Sequence, residues 1–511
     1  MHNRIRIIAL LVTVLLACSL LAACTGGTTT TTTTKSTTTG QGGTTTTAAT
    51  TTGTTAPGPK PSITMYGPSN VEEFPAGEDE NNNKIINYIK EMTGYDVTWI
   101  IAPRDNGREA MNMIMASGNP PDVLYTGDKN IFADYTNQGL LEPVDSFIEE
   151  TTNIKTVVPD ATWKAVELNG EHFAVPVPQN QFSSSGVVVR QDLLEKLGNP
   201  PMETLDDYVA FLEMVLEQKL GGEDTVPYVA YNKSMGVFEL AYGLNEAYKP
   251  ENGKLVATWI SDNARKMLEF SADLFARKLV DPEFAVNTGT IANEKMTNGR
   301  GALYTTGWTT VKELNDSLKD RDVGFKYAVI KPPTGIDGQP TYFNLNSPVR
   351  VYFLFPAGAK TKEAVMFLDR CISDDIRLVI SYGWENEHYT VAADGVINQT
   401  AEAENIRYRI YYNMWDTEKD FLNRVKLKGF SDGYFPMSEF CKYDVTMNYA
   451  PPIAELTEYT SALTDLRDEY FLKIITGAWT IDKFDEFVSK WKASGGEQVL
   501  EAVNAWYDTF K

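Results

Sequence analysis

Histidine is almost missing from this chain: three residues in 511. His172 and His388, the two beyond the N-terminus, have no cysteine or second histidine at metal spacing, and no His-Glu-x-x-His occurs. That excludes the common zinc chemistries. No glycine loop ends in Lys-Ser or Lys-Thr, and no dinucleotide fingerprint is present. Ser183-Ser184-Ser185-Gly186 lacks the leading glycine of a nucleophile elbow. Basic charge is also short, with 46 Lys and Arg against 68 Asp and Glu and a formal net charge of -22. Such a surface repels nucleic acid and anionic headgroups, which excludes DNA and RNA as partners. It does not exclude an anionic solute, because a local pocket can oppose the overall sign. Beyond the first two dozen residues no apolar run is long enough to span a bilayer. Acids are so abundant that no single pair marks a glycosidase, so a secreted glycan hydrolase or lyase stays open as an alternative.

What is present begins with a basic start (Arg4, Arg6), an apolar run from Ile7 to Leu16, and Leu21-Ala22-Ala23-Cys24. This reads as an export signal over 1–23, and the small pair before Cys24 resembles a bacterial lipobox. In that reading Cys24 carries the lipid and ties the chain to the membrane by acyl chains alone. The alternative is an ordinary secretory signal with an incidental cysteine. Residues 24–61 form a threonine- and glycine-rich tract ending in Pro57-Gly58-Pro59-Lys60-Pro61. It has almost nothing apolar to bury and reads as a disordered tether. Two cysteines remain, Cys371 and Cys441. An oxidising exterior would permit a disulfide, but Cys371 shares a helical face with Ala364, Leu368 and Ile372 and reads as a buried free thiol.

The folded body starts near Ser62. Ile63–Tyr66, Val97–Ile101 and Asp122–Tyr125 read as strands, with helices between them carrying Ile85, Ile86, Ile89 and then Met111, Ile114. Strand, helix, strand, helix, strand is the pattern of a parallel α/β sheet. Ligands gather at the carboxyl ends of such strands, here Gly67-Pro68 and Thr126-Gly127-Asp128. A second α/β lobe opens near Val187. Thr204 and Asp207 are placed for a capping box on the helix that follows. Residues 456–510 are mostly amphipathic helix.

Aromatic residues stand beside glycine, amide and carboxylate groups in the predicted loops. Tyr66 precedes Gly67-Pro68, and Tyr125 precedes Thr126 and Asp128. Gln179 and Asn180 follow Pro176-Val177-Pro178. Trp308 sits among threonines after Gly307, and Trp384 lies in Tyr382-Gly383-Trp384-Glu385-Asn386-Glu387-His388-Tyr389. Taken singly, each ring reads first as core packing. Taken together they suit sugar rings, which stack on aromatic faces while their hydroxyls bond to amides and carboxylates. A ligand carboxylate would need Arg or Lys in the cleft, and Arg190 and Arg350 are the candidates. A calcium site near Glu78–Asn83 lacks the spacing of an EF-hand loop.

Several segments together resemble a known family. They are Ser117-Gly118-Asn119-Pro120-Pro121-Asp122-Val123; Trp163 with Leu168-Asn169-Gly170 and Phe173-Ala174-Val175-Pro176; Val189 to Gly198 with Pro200, Pro201 and Thr204; and Tyr382 to Thr390, where Asn386 replaces a usual glycine. After a lipobox and in this order, they resemble the lipid-anchored solute-binding proteins, family 1, of carbohydrate ABC importers of Gram-positive bacteria. The resemblance implies a two-lobed α/β fold of the periplasmic-binding-protein type II. Lobe one would hold 62–176 with about 352–385, and lobe two 187–341 with part of 400–511. Hinge crossings would lie at 174–187 and 342–351. It implies a monomer on the outer face of the membrane that binds an oligosaccharide by hinge closure. It would deliver the sugar to ABC permease subunits, with no cofactor, no metal and no catalysis. Another solute, such as a peptide or a uronate, is the nearest rival, and a purely adhesive lipoprotein a further one. The resemblance adds Gln179 and Asn180 beside the first crossing and Trp308 as a stacking ring; with the residues read above, the expected ligand site comprises Tyr66, Tyr125, Thr126, Asp128, Gln179, Asn180, Trp308, Arg350, Trp384 and Glu387.

Overall fold

The computed structural model describes residues 60–69, 72–103, 106–181, 185–319, 324–393, 395–451 and 453–511. The export signal, Cys24 and nearly all of the Thr-rich tract lie outside the described residues, as do 182–184 of the first expected crossing.

In chain order the first elements are β1 (Ser62–Gly67), α1 (Lys84–Thr93), β2 (Asp96–Ile101), α2 (Gly107–Ala116), β3 (Val123–Thr126), α3 (Lys129–Asn137) and β4 (Val175–Pro178). α1 starts where Asn83 Oδ1 accepts from the backbone N–H of Ile85 and Ile86, and it stops at Gly94, whose φ of 76° suits glycine. Then follow β5 (Gly186–Arg190), α4 (Leu205–Glu217), β6 (Val226–Val229), β7 (Gly301–Thr306), α5 (Trp308–Leu318) and β8 (Tyr327–Ile330). α4 opens on the expected capping box, Thr204 and Asp207 exchanging side-chain-to-backbone bonds. The last set is β9 (Phe343–Asn344), β10 (Val349–Leu354), α6 (Thr361–Cys371), α7 (Asp374–Tyr382), α8 (Glu418–Leu427), β11 (Cys441–Tyr443), α9 (Ala454–Ile475), α10 (Lys483–Trp491) and α11 (Glu497–Phe510).

Two sheets organise these elements. The first has the order β2-β1-β3-β10-β4; β1 runs parallel to β2 and β3, and β10 runs antiparallel to β3 and β4. One face buries Ile63, Val97, Val123 and Val351 against Ile85, Ile89, Phe367 and Leu368 of α1 and α6. The other buries Tyr66, Leu124, Tyr352 and Leu354 against Met111 and Phe132 of α2 and α3. Both faces are covered, so β4 and most of β3 and β10 are buried along their length, whereas the edge strand β2 alternates, with Asp96 and Thr98 exposed. The second sheet has the order β8-β5-β7-β6. It packs Val187, Val189 and Leu303 on a core shared with Phe211 and with Phe471, Phe487 and Trp491 of the C-terminal helices. Val188, Tyr304 and Val311 fill the opposite core.

The chain passes between these halves after β4 and again between β9 and β10. The sequence left the later passage unplaced. Ile406, Tyr412 and Trp415 still pack in the first half, whereas Val425, Tyr434 and Met437 pack in the second, so a third passage lies around 416–424. The passages are tied to one another: Asn180 Nδ2 donates to Asp416 O at 2.9 Å, and the N–H of Gln179 donates to Pro348 O at 2.9 Å. Cys371 and Cys441 are buried in the two separate halves and no disulfide joins them. Among the described residues no helix is long and apolar enough to cross a membrane.

Candidate functional site

The first pocket forms where the strand-end rule places it, at the carboxyl ends of β1 and β3. It encloses about 380 Å³ and is lined by Tyr66, Gly67, Pro68, Arg108, Tyr125, Thr126, Gly127 and Asp128. Gly67 is glycine for a steric reason: a Cβ there would collide with the Trp99 indole lying over it. Tyr66 is 1% exposed, and its Oη is buried with no hydrogen-bond partner among the described residues. Burial raises its phenol pKa, so the hydroxyl stays protonated and keeps a donor for whatever enters. Asp128 is more committed. Its Oδ1 accepts from Asn130 N–H at the start of α3, and its Oδ2 takes Arg108 at 2.6 Å. Thr126 Oγ1 accepts from the Asp128 N–H at 3.0 Å. Thr126 and Asp128 therefore shape the rim as much as they offer polar groups.

The second pocket, also about 380 Å³, forms at the carboxyl ends of β6 and β7 and along β9. It is rich in amides and hydroxyls: Tyr228, Tyr231, Asn232, Asn245, Thr305, Asn344 and Asn346 line it. Asn245 Nδ2 donates to Asn344 Oδ1 at 2.9 Å, and Asn346 Nδ2 donates to Gln181 O at 3.1 Å. Tyr228 Oη bonds Met235 O and Thr305 Oγ1, both at 3.0 Å. Glu239 closes the floor; burial raises its carboxyl pKa, opposed by bonds from Met235 N–H and Ser234 Oγ. Hydroxyls and amides held in place by one another are prepaid in orientation, which favours a polyhydroxylated ligand.

The two pockets sit at the two ends of one passage. Asn344 and Asn346 line the second, and the carbonyl of Arg350 lies beside Gly127 of the first. Lys129 marks another link near this junction. Its Nζ donates to the carbonyls of Met447 and Asn448 at 3.4 and 3.1 Å, and burial lowers its pKa from 10.5 to about 8. Between about pH 8 and 10.5 the unfolded chain therefore binds more protons at this site than the folded chain. We expect wild-type stability to rise with pH across that window relative to Lys129→Met, in which this contribution is gone. Denaturant titrations of both proteins at pH 8 and pH 10 measure it, and equal slopes would show that Lys129 is not desolvated.

Of the residues expected from sequence, Tyr66, Tyr125, Thr126 and Asp128 come together. Gln179 and Asn180 lie on the first passage and line neither pocket. Three others line neither pocket either. Trp308 starts α5 at 9% exposure and is met edge-to-face by Phe430 and Tyr434 at 5.2 and 5.3 Å, so its ring serves the core. Trp384 packs against Tyr88, with Lys84 Nζ 4.1 Å from its ring centre, and Glu387 pairs with Lys84 at 2.9 Å. Those two knit α1 to the end of α7 and line neither pocket. Asn386 adopts φ 63°, the left-handed conformation that glycine takes without strain. Neither histidine lines either pocket. In the acidic 78–83 loop, Asp79 and Asn81 are spent on backbone N–H groups, and no metal-competent cluster occurs among the described residues.

The amide-rich lining was missed by sequence reasoning. The same signal that selected Tyr66 and Tyr125 was available there: Tyr231-Asn232 follows the apolar strand β6 with Gly236 close behind, and Asn344 and Asn346 fall in the expected second crossing.

Comparison with known proteins agrees with this architecture. The family described as bacterial extracellular solute-binding protein matches residues 75–376. The polygalacturonan/rhamnogalacturonan-binding protein YtcQ of Bacillus subtilis (strain 168) is 22% identical over 450 residues, which cover 82% of this chain and 87% of that protein. Lipoprotein LipO of the same organism is 22% identical over 485 residues, covering 89% and 94%. Among solved structures, an HMO-binding, ABC-transporter-associated solute-binding protein from Bifidobacterium longum infantis ATCC 15697 superposes with a TM-score of 0.68 at 14% identity. That superposition covers 88% of this chain and 99% of that one. The two-lobed type II fold is thus present, and with the match across most of the folded body this chain belongs to the bacterial extracellular solute-binding protein family.

Proposed function

We propose that the protein captures an oligosaccharide outside the cell and presents it, enclosed between its lobes, to the transmembrane subunits of an ABC importer. The observation that carries this reading is the pair of pockets at the two ends of one interlobe passage, one of them walled by asparagine amides and tyrosines. A sugar resting on the amide-rich wall would leave its far side for Tyr66 and the β1 and β3 ends when the lobes approach. Closure is favoured only by contacts that the open form does not make. The names of the relatives point the same way: one binds polygalacturonan and rhamnogalacturonan, and a structural neighbour is HMO-binding and ABC-transporter-associated. Acylation of Cys24 would hold this protein, as a monomer, at the outer face of the membrane, in keeping with a relative named as a lipoprotein. The sugar leaves chemically unchanged.

Micromolar affinity requires about -8 kcal/mol, within reach of one or two ring contacts and several hydrogen bonds. Purified protein should melt at a higher temperature with one class of oligosaccharide, since ligand at a hundred times its Kd adds about 2.7 kcal/mol to the folded state. The same incubation should return the glycan intact by chromatography. No shift across a broad glycan panel, or a cleaved product, overturns the reading.

A further inference from the structure

Arg350 carries two buried guanidinium nitrogens, Nε and Nη2, with no hydrogen-bond partner among the described residues. The other deeply placed arginines are satisfied: Arg190 holds Asp192, Arg377 holds Asp374 and Asp420, Arg424 holds Asp416, and Arg409, which also lacks an acid, donates to the carbonyls of Ser381, Ala403 and Ile406. A guanidinium keeps its charge at any relevant pH, so burial without an anion is costly. The two empty nitrogens are adjacent ones on a single edge of the planar group, the fork that matches the two oxygens of a carboxylate. This chain shows that edge at work elsewhere: Arg190 Nε and Nη2 meet Asp192 Oδ1 and Oδ2 at 2.9 and 2.8 Å.

Arg350 lines neither pocket, but its backbone runs between them. Arg350 is the extra residue of a bulge in β10, where the register against β4 shifts between Val349 and Val351. Bulges re-aim side chains next to functional sites. Its carbonyl borders Gly127 in the wall of the first pocket, and Asn346, four residues earlier, lines the second. The neighbouring cations are already spent. Arg108 is paired with Asp128 and Asp134, and Lys129 is turned to two backbone carbonyls. In a chain of net charge -22, a cation at this junction with no anion among the described residues stands out.

We propose that Arg350 receives the carboxylate of an acidic sugar, so that the solute is a uronate-containing oligosaccharide. This rests on the oligosaccharide reading above and names the chemical class. The carboxylate supplies the missing acceptor and converts an uncompensated charge into a bidentate pair. Hydroxyls of the same sugar meet the asparagine-lined wall.

The test is calorimetric titration of the purified protein with short oligomers of galacturonate, glucuronate and mannuronate, with their methyl esters, and with neutral maltotetraose. One acidic oligomer should bind, and its methyl ester should bind at least about 30-fold more weakly. Arg350→Gln should lose the acid's advantage over the ester, and Arg350→Lys, which keeps charge but not the fork, should recover only part of it. Melting of the ligand-free variant separates binding from structure. Arg350→Gln should melt at or above the wild-type temperature, because an unpaired buried charge has been removed; a clear fall would mean the arginine is satisfied within the fold and overturns the proposal. Equal binding of acid and ester, or binding of maltotetraose alone, overturns the uronate assignment while leaving the oligosaccharide reading intact. Binding of none of these glycans overturns the uronate assignment, and the oligosaccharide reading falls with it only when the broad glycan panel also gives no melting shift.

Discussion

Replacing Asp420 by alanine should lower the free energy of unfolding by about 3–5 kcal/mol, the scale seen when one partner of a buried ion pair is removed. Asp420 is almost fully buried and accepts from Arg377, itself buried on α7. It also accepts from Thr417 Oγ1 as the third residue of the α8 capping box, and Tyr382 Oη donates to its backbone carbonyl at 3.2 Å. Alanine keeps none of the carboxylate contacts and leaves the guanidinium of Arg377 to Asp374, an exposed residue. The cost falls at one place, the third passage between the lobes, where α7 of the first half meets the start of α8. A denaturant titration measures it. A loss below about 1 kcal/mol would mean that solvent reaches Arg377 and replaces the carboxylate. Arg377→Met combined with Asp420→Asn should recover a large part of the loss, because no lone charge then remains buried.

Lys295→Met should cost a similar amount, about 3–5 kcal/mol, and should also weaken ligand binding. The Lys295 side chain is 7% exposed and its ammonium is surrounded by oxygens: both of Asp281 at 3.0 and 2.8 Å, Glu283 Oε2 at 2.8 Å and Asn287 Oδ1 at 3.0 Å. Asp281 is 1% exposed, so methionine would strand a carboxylate in the interior. The effect on binding follows from what the cluster supports. Asn287 Nδ2 donates to Ala230 O at 3.0 Å, and the N–H of Asn232 donates to Asn287 O at 2.9 Å. The turn carrying Tyr231 and Asn232 into the second pocket is therefore fastened through Asn287 to the ammonium. Unfolding and ligand titration should both register the change. Lost stability with unaltered affinity would detach the cluster from the pocket.

The first sheet was legible because β1, β2 and β3 announce themselves by short apolar runs separated by helices with clear caps at Asn83 and Gly94. The strand-end rule then carried Tyr66 and Tyr125 to the lining of one pocket, since it depends only on strand direction. Trp308 and Trp384 lie away from both pockets for a different reason. A glycine beside a tryptophan marks a turn, but it does not reveal which neighbours close over the ring. Phe430 and Tyr434 do so for Trp308, and both lie more than a hundred residues away in sequence. The asparagines of the second pocket were within reach of the same pattern and were passed over, because amides are common in loops and carry no periodicity. The third passage could not be read at all. Its two sides are both helical and both half-polar, and only the cores they join distinguish Trp415 from Val425. Arg350 was named from its position near a crossing, but its empty edge is a fact of three dimensions.

The chain passes between its halves three times, an odd number. Its two ends consequently belong to different halves: β1 opens in the first sheet's body, and α11 closes in the body of the second. Any tether acting through the residues before β1 attaches to the first body alone. If the lobes close as proposed, a fluorophore pair with one member on α1 and the other near Lys511 would report ligand capture as a change in their separation.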